Sequence, residues 1–423
     1  MDPAIELVVF ADDWGRHPSS AQHLVGELLR QGLVERVVWV NTIGMRTPKL
    51  RWADVKRGWE KLRSGSRGAG GAGDEDFEGR LKVVSPRMYP GFRSGWQRRL
   101  NAWVMRRAVE AAVSGDDSME RVGLTTLPIT ADLMGSVYGV DRWVYYCVDD
   151  FSVWPGVDHG VMERMEPELV RKVDAVVCVS EVLRSRVERM LNHEDTKDTK
   201  RVEVERQDAK TSRRQGVELL THGVNAAFFD LRNRPIDQDH GAVARAFLET
   251  YSKVHVPKRP RHVFWGLLDE RLDMSWLKLL NACDGASVML VGPGEPPSIP
   301  GVVTPGFMIT SMMPNLAALS DTLIMPYRDI PVTRAMQPLK LLEYLATYKP
   351  VVVRDLPATR GWGDCCDVVS TAEDFVRVCR ERAEGGLPEG QRAARERRLA
   401  GESWSEKARV LHRVLRGAGG AGR

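Results

Sequence analysis

Segments of strand character alternate with segments of helical spacing along most of this chain, and they do so in two rounds. Residues 5–11 are a β-rich apolar run. Ala21, Leu24, Val25, Leu28 and Leu29 then recur at helical spacing, and residues 36–41 return to strand character. Residues 82–84, 143–148 and 175–179 read as further buried strands, with helical stretches between several of them. The alternation then restarts at 218–220 and 262–267, followed by a helix around Trp276 to Ala282 and a strand at 287–291. A helix at 315–319, a strand at 322–326, a helix at 339–346 and a strand at 350–353 complete the second round. Such alternation predicts an α/β fold with mostly parallel sheets covered by helices.

The length agrees with two rounds. At 423 residues the chain exceeds the size at which a single core stops growing, so two domains of roughly 150 to 220 residues each are expected. The expected division is 1–221, 222–400 and a tail at 401–423. Two stretches without periodicity, near 64–79 and 192–215, read as flexible insertions. The tail is expected to form a helix, with Ser403 and Glu406 at capping-box spacing and Ala408, Leu411 and Leu415 on one face.

Composition excludes several function classes. Hydrophobic residues at 43% and charged residues at 28% are ordinary for a globular protein, and no apolar run approaches the roughly 20 residues that span a bilayer. The opening MDPAIELVVFADD lacks a basic n-region, so a cytoplasmic protein is expected. Six cysteines without metal-ligand spacing read as thiols, and no metal site is expected. A net charge of +4 is too small to announce nucleic-acid binding, though it suits an anionic small molecule.

Two motifs mislead. RGAGGAG occurs at 67–73 and again at 416–422, and each copy satisfies GxGxxG, but neither joins a strand to a helix as a dinucleotide site requires. Asp74, Glu75 and Asp76 form a DxD triplet beside the first copy, where a solvated charge run explains them better than a cation site.

Chemistry is expected at the carboxyl ends of the strands, where open α/β sheets bind ligands. The loop after the first strand, 12–20, holds Gly15, Arg16 and His17 before a helix whose Ser19 and Gln22 have capping-box spacing. Gly15 permits close backbone approach, and Arg16 and His17 supply donors near a helix N-terminus that favours anions. An ordinary helix cap is the plainer reading. YYCVDDFSVWP at 145–155 places Asp149 and Asp150 after another strand, where Asp150 can accept a proton or bind hydroxyls, or simply end a strand in a turn. HGVN at 222–225 brings Asn225 to a third strand end. In the second round FWGLLDERLD, 264–273, runs from a strand through Gly266 into a charged loop, and MPY at 325–327 leads to QPLKLLEYLA at 337–346.

The block PLKLLEYLATYKPVVV, the loop GLLDERLD, the strand end LVGPG, the turn HGVN and the terminal SWSEKA together resemble the retaining GT-B glycosyltransferases of family 4. That resemblance implies two Rossmann-like lobes with a cleft between them and a C-terminal helix crossing back to the first lobe. It further implies a nucleotide-sugar donor held mostly by the second lobe, an acceptor on the first, and no metal or other cofactor. Glu343 would accept hydrogen bonds from ribose hydroxyls, while Arg271 and Lys340 would neutralise the diphosphate near Gly266 and the helix start at Leu339. The chain departs from the pattern at Ala335, where family members commonly carry a Glu, and at Leu267, where an Arg is frequent; Lys278 matches that second cation only loosely.

The resemblance implies transfer of a sugar to a hydroxyl acceptor, a glycan or lipid-linked precursor. The departures keep two alternatives open: an inactive sugar-binding or scaffold protein, and a sugar-nucleotide epimerase. Residues 93–107 set Trp96, Leu100, Trp103 and Val104 against Arg98, Arg99, Arg106 and Arg107. Such a helix can lie on an anionic membrane, giving peripheral contact at its inner face, or cover its own domain.

Overall fold

The computed structural model describes residues 3–15, 19–43, 77, 79–137, 139–154, 156–192, 216–234, 239–256, 261–283, 285–295 and 297–417. The expected insertions lie almost wholly outside those residues, as do the first RGAGGAG copy, most of the second, and the DxD triplet.

The chain divides into two compact units, 1–221 with 407–423, and 222–406. Among the described residues of the first unit, seven strands lie in the order β3-β2-β1-β4-β5-β6-β7: β1 (Ile5–Ala11), β2 (Arg36–Asn41), β3 (Leu81–Val84), β4 (Glu120–Thr125), β5 (Val140–Cys147), β6 (Ala175–Cys178) and β7 (Val217–Leu219). Every pairing is parallel; Val8, for example, pairs with Val38 on one side and Gly123 on the other. All of β1 is buried, as expected of a strand covered on both faces. The helix Ser20–Arg30 turns Ala21, Leu24, Val25, Leu28 and Leu29 inward, and Ser19 caps it by accepting from the Gln22 amide.

Strand β4 was not expected, because ERVGLT carries a glycine and two charges. Packing explains the glycine: a Cβ on Gly123 would lie 2.3 Å from the Trp143 ring on neighbouring β5. Strand β7 corrects a second reading, since residues 217–219 belong to the first sheet beside β6 rather than opening the second round.

The described residues of the second unit form six parallel strands in the order β10-β9-β8-β11-β12-β13: β8 (Arg261–Trp265), β9 (Ser287–Val291), β10 (Val303–Gly306), β11 (Thr322–Met325), β12 (Val351–Arg354) and β13 (Asp367–Val369). Arg395, on the helix Glu389–Leu399, is fully buried there without a carboxylate partner among the described residues. It donates instead to the carbonyls of Cys365 and Lys349, both at 2.8 Å, and burial lowers its pKa to about 10.

The last helix, Trp404–Leu415, begins where Ser403 accepts from the Glu406 amide at 3.1 Å. From Lys407 onward it belongs to the first unit: Ala408, Leu411 and Leu415 are buried, and Arg416 donates to the Pro3 carbonyl at 2.6 Å and pairs with Glu120 at 3.2 Å. In both units the strand order reverses beside the first strand, at β1/β4 and at β8/β11. Such a reversal opens a crevice at the carboxyl ends of the strands.

Candidate functional site

In the second unit that crevice is built from backbone. Strand β8 ends at Trp265, and the next residue, Gly266, has φ of 157° and donates its amide to the Val291 carbonyl at 2.9 Å. Gly292, just after β9, has φ of 148°, and a Cβ there would sit 1.8 Å from the Gly266 carbonyl oxygen. Two strand-end loops therefore touch through main chain alone, which only glycine permits.

The helix Leu339–Ala346 supplies the side chains. Lys340, Glu343 and Tyr344 lie three and four residues apart and so share a face. The Tyr344 hydroxyl accepts from the Trp265 amide at 2.8 Å and donates to the Trp265 carbonyl at 3.0 Å, which clamps the helix to the end of β8. Burial raises the Tyr344 phenol well above its ordinary pKa, keeping it a donor. The Trp265 indole donates to Glu343 Oε2 at 3.0 Å, and Oε1 has no protein partner among the described residues. Lys340 runs past Gly266, its Cδ 3.3 Å from where a Cβ would stand there. Its ammonium makes no hydrogen bond or ion pair with a described residue. Leu339 opens the helix after Pro338, so its amide belongs to the first turn, which lacks intrahelical partners.

Arg271 is buried and committed. Its Nε lies 3.0 Å from each Asp269 carboxylate oxygen, its Nη2 2.9 Å from Oδ2, and its Nη1 3.8 Å from the Met336 sulfur. Asp269 thus neutralises the cation expected to meet a diphosphate. Asn225 accepts from the Phe228 amide at 3.2 Å and caps the short helix Ala226–Phe229. The methyl of Ala335 is buried in the helix Pro331–Ala335.

The first unit ties up its strand ends with side chains. Asp12 accepts from the Ser19 hydroxyl at 2.9 Å and from Gln22 Nε2 at 3.2 Å, and Gln22 Oε1 accepts from the Gly15 amide at 3.1 Å. Gly15 has φ of 77° with no atom within 4 Å of where its Cβ would be. Arg16 and His17 lie outside the described residues. Asp150 accepts from the Ser152 amide at 3.0 Å on one oxygen and faces Arg186 Nε at 3.3 Å with the other. Arg186 is itself gripped by the fully buried Glu166 through two bonds of 2.8 Å. Asp150 is thus the outer member of a fixed ion cluster.

Sequence reasoning missed Trp265 and Tyr344, the two residues that hold Glu343 in place. An aromatic immediately before a strand-end glycine was the available signal.

Two Rossmann-type units, each with its strand order reversed beside the first strand, and a C-terminal segment that returns to the first unit define the GT-B fold of glycosyltransferases. No family model matches the chain. Among curated proteins it is similar to the putative teichuronic acid biosynthesis glycosyltransferase TuaH of Bacillus subtilis (strain 168), with 25% identity over 249 residues. That match covers 54% of this chain and 54% of TuaH, so the chain spans about half the length of this relative. Among solved structures it resembles Anabaena Alr3699/HepE in complex with UDP and glucose, with a TM-score of 0.60, 10% identity, and 97% and 99% of the two chains covered. It also resembles an α,α-trehalose 6-phosphate synthase from Burkholderia multivorans, with a TM-score of 0.56 and 13% identity over the whole of both chains. At these identities the solved structures establish the fold.

Proposed function

We propose that this chain is a glycosyltransferase that moves a sugar from a nucleotide diphosphate sugar to a hydroxyl acceptor, with the donor seated in the second unit. One observation carries the reading. Glu343 is fixed through one oxygen by the Trp265 indole and, among the described residues, has the other unpartnered, one helical turn from a lysine whose ammonium also meets no described partner. A carboxylate so held accepts hydrogen bonds from the adjacent hydroxyls of a ribose. Lys340 and the first-turn amides at Leu339 favour a diphosphate, most strongly as negative charge grows on the leaving group. The glycines at 266 and 292 let that diphosphate approach main chain. Arg271 is less suited to this task, because its charge is already balanced by Asp269.

HepE binds UDP and glucose, which makes a uridine diphosphate sugar the first donor to try. TuaH is named for teichuronic acid biosynthesis, which makes a polysaccharide the first acceptor to try. In the proposed reaction a bond forms between an acceptor oxygen and the anomeric carbon, and the bond from that carbon to the diphosphate breaks. The acceptor proton departs with the nucleoside diphosphate or to a base such as His17. We propose retention of configuration and no metal requirement. Ala335, a buried methyl where a family-type Glu would stand, favours a second reading, a donor binder without turnover.

Thermal-shift and turnover assays with UDP-, GDP-, ADP- and dTDP-sugars, with and without EDTA, test the proposal. The expected result is stabilisation by a UDP-sugar and release of UDP that persists in EDTA. Stabilisation without release, even with polysaccharide acceptors, supports the binder. An isomerised nucleotide sugar identifies an epimerase, and no response to any donor overturns the reading.

A further inference from the structure

In the first unit the helix Gly95–Glu110 buries only Asn101, Met105 and Val109, one narrow seam at four-residue spacing. Asn101 fixes the rotation of the helix: it accepts from the Tyr89 amide at 2.7 Å and donates to the carbonyls of Tyr89 and Gly91 at 3.0 Å each. That rotation turns a second stripe outward. Trp96, Leu100 and Trp103 are 56%, 39% and 49% exposed, and Tyr89, 39% exposed, sets its ring 5.0 Å from that of Trp96. Four large side chains contiguous in water are unfavourable unless something covers them.

Arginines accompany this stripe, and they differ in how far their charge is spent. Arg98 turns inward onto Asp132 and Glu168. Arg93 pairs with Asp158 yet keeps 73% of its side chain exposed, and Arg106 lies 3.6 Å from Glu110. Arg99 and Arg107 make no ion pair with a described residue, and the Arg107 guanidinium stands 5.4 Å from the Trp103 ring centre. Arg93, Arg99, Arg106 and Arg164, with Trp103, line a cavity of about 500 Å³ beside the stripe. No described helix is long and apolar enough to cross a membrane.

We propose that this face docks flat on a membrane whose surface carries anionic phospholipid headgroups. Trp96, Leu100 and Trp103 enter the interfacial layer, where an indole places its ring in apolar surroundings and its N–H in wet ones. Arg99 and Arg107 meet lipid phosphates, and the arginine-lined cavity accepts a headgroup. A single-stranded nucleic acid also seeks arginines and aromatic rings. The stripe fits it less well, because Leu100 occupies the position between the two tryptophans and offers no ring for a base to stack on. The inference is independent of the donor site, so its failure and a failure to bind nucleotide sugars are separate results.

The test is co-sedimentation of the full chain with phosphatidylcholine vesicles, with and without phosphatidylglycerol, at low and high salt. Binding is expected only with the anionic lipid and is expected to fall at high salt. Trp96→Ser with Trp103→Ser should weaken it at least about tenfold, and Arg99→Gln with Arg107→Gln about thirtyfold while flattening its salt dependence. Both pairs are surface changes, and unchanged melting temperatures confirm that the fold is intact. Absence of binding to anionic vesicles at low salt overturns the proposal, as does undiminished binding by the tryptophan variant. So does preferential binding of a single-stranded oligonucleotide, or self-association abolished by the tryptophan variant without any vesicle binding.

Discussion

The ends of β1 and β8 occupy the same place in two sheets of the same strand order, yet they are finished differently. After β1 the chain closes on itself through side chains: Ser19 and Gln22 hold Asp12, and Gln22 also takes the Gly15 amide. After β8 the closure is main chain against main chain, Gly266 against Gly292, and the nearby Glu343 and Lys340 keep atoms without a partner among the described residues. The polar groups of Asp12, Ser19 and Gln22 are spent on one another and have little left for a ligand. A loop closed by glycine leaves its polar groups to one. Equal topology therefore does not mean equal function, and the difference supports the proposal that the donor sits in the second unit.

The largest expected effect breaks that main-chain closure. Gly292→Ala drives a methyl into the Gly266 carbonyl and forces a positive φ on an L side chain, so the second unit should lose more than about 4 kcal/mol or fail to fold. Gly15→Ala, also at positive φ but with open space around it, should cost only about 1 kcal/mol. Urea denaturation of both variants measures the contrast, and equal losses would remove the distinction between the two loops.

Next comes a contrast between the first strands themselves. His262 in β8 is fully buried beside the Thr322 hydroxyl at 2.6 Å, and burial lowers its pKa to about 4. Between pH 6.5 and 4 the unfolded chain holds a proton here that the folded chain does not. The neutral imidazole thus adds stability that is complete above pH 6.5 and disappears as pH falls toward 4, about 3 kcal/mol in all. In β1 the buried titratable group is Glu6, paired with Arg121 at 2.7 Å. Urea denaturation between pH 7 and 4 should show this loss, and His262→Asn should remove about 3 kcal/mol of the pH dependence; an unchanged slope would place the effect elsewhere.

The same contrast decides how much of the fold and the site is legible in the sequence. Strand β8 and the helix Leu339–Ala346 were legible because an apolar run and a helical period each report burial directly. Strand β4 was not, since a central strand with Gly123 looks like a loop until Trp143 is known to fill the space. Strand β10 ends in Pro305 and Gly306, tolerated at the edge of the sheet. Strand β7 was placed in the wrong round because a strand's partner is not written in its own residues. At the site, Glu343 and Lys340 stood out through a family-like motif, whereas the pairing of Arg271 with Asp269 and of Asp150 with Arg186 depends on side-chain direction. Asp150 and Arg186 are far apart in sequence, and no local spacing joins them.

A third prediction separates the two carboxylates. Glu343→Ala should weaken UDP-sugar binding about thirtyfold, near 2 kcal/mol, with little change in melting temperature, because a ligand-facing hydrogen bond to a charged group is lost. Asp150→Asn should leave donor affinity within about twofold and cost roughly 1 kcal/mol of stability, since Arg186 retains Glu166. Calorimetric donor titration together with thermal melting measures both, and the reverse pattern would move the donor to the first unit.

The smallest effect refines the picture on one side of the comparison. Trp265→Phe removes the indole N–H that holds Glu343 Oε2 while preserving most of the 4.2 Å ring contact with Tyr344. Glu343 then keeps its charge but loses its fixed direction. In the proposed site Trp265 is a positioning residue, so donor KM should rise about fivefold, near 1 kcal/mol, with kcat almost unchanged. In Glu343→Ala the indole has nothing left to hold, so adding Trp265→Phe should have no further effect on KM. If the two losses add instead, Trp265 serves the donor through the packing of β8 against Tyr344, and the unpartnered oxygen of Glu343 owes nothing to it.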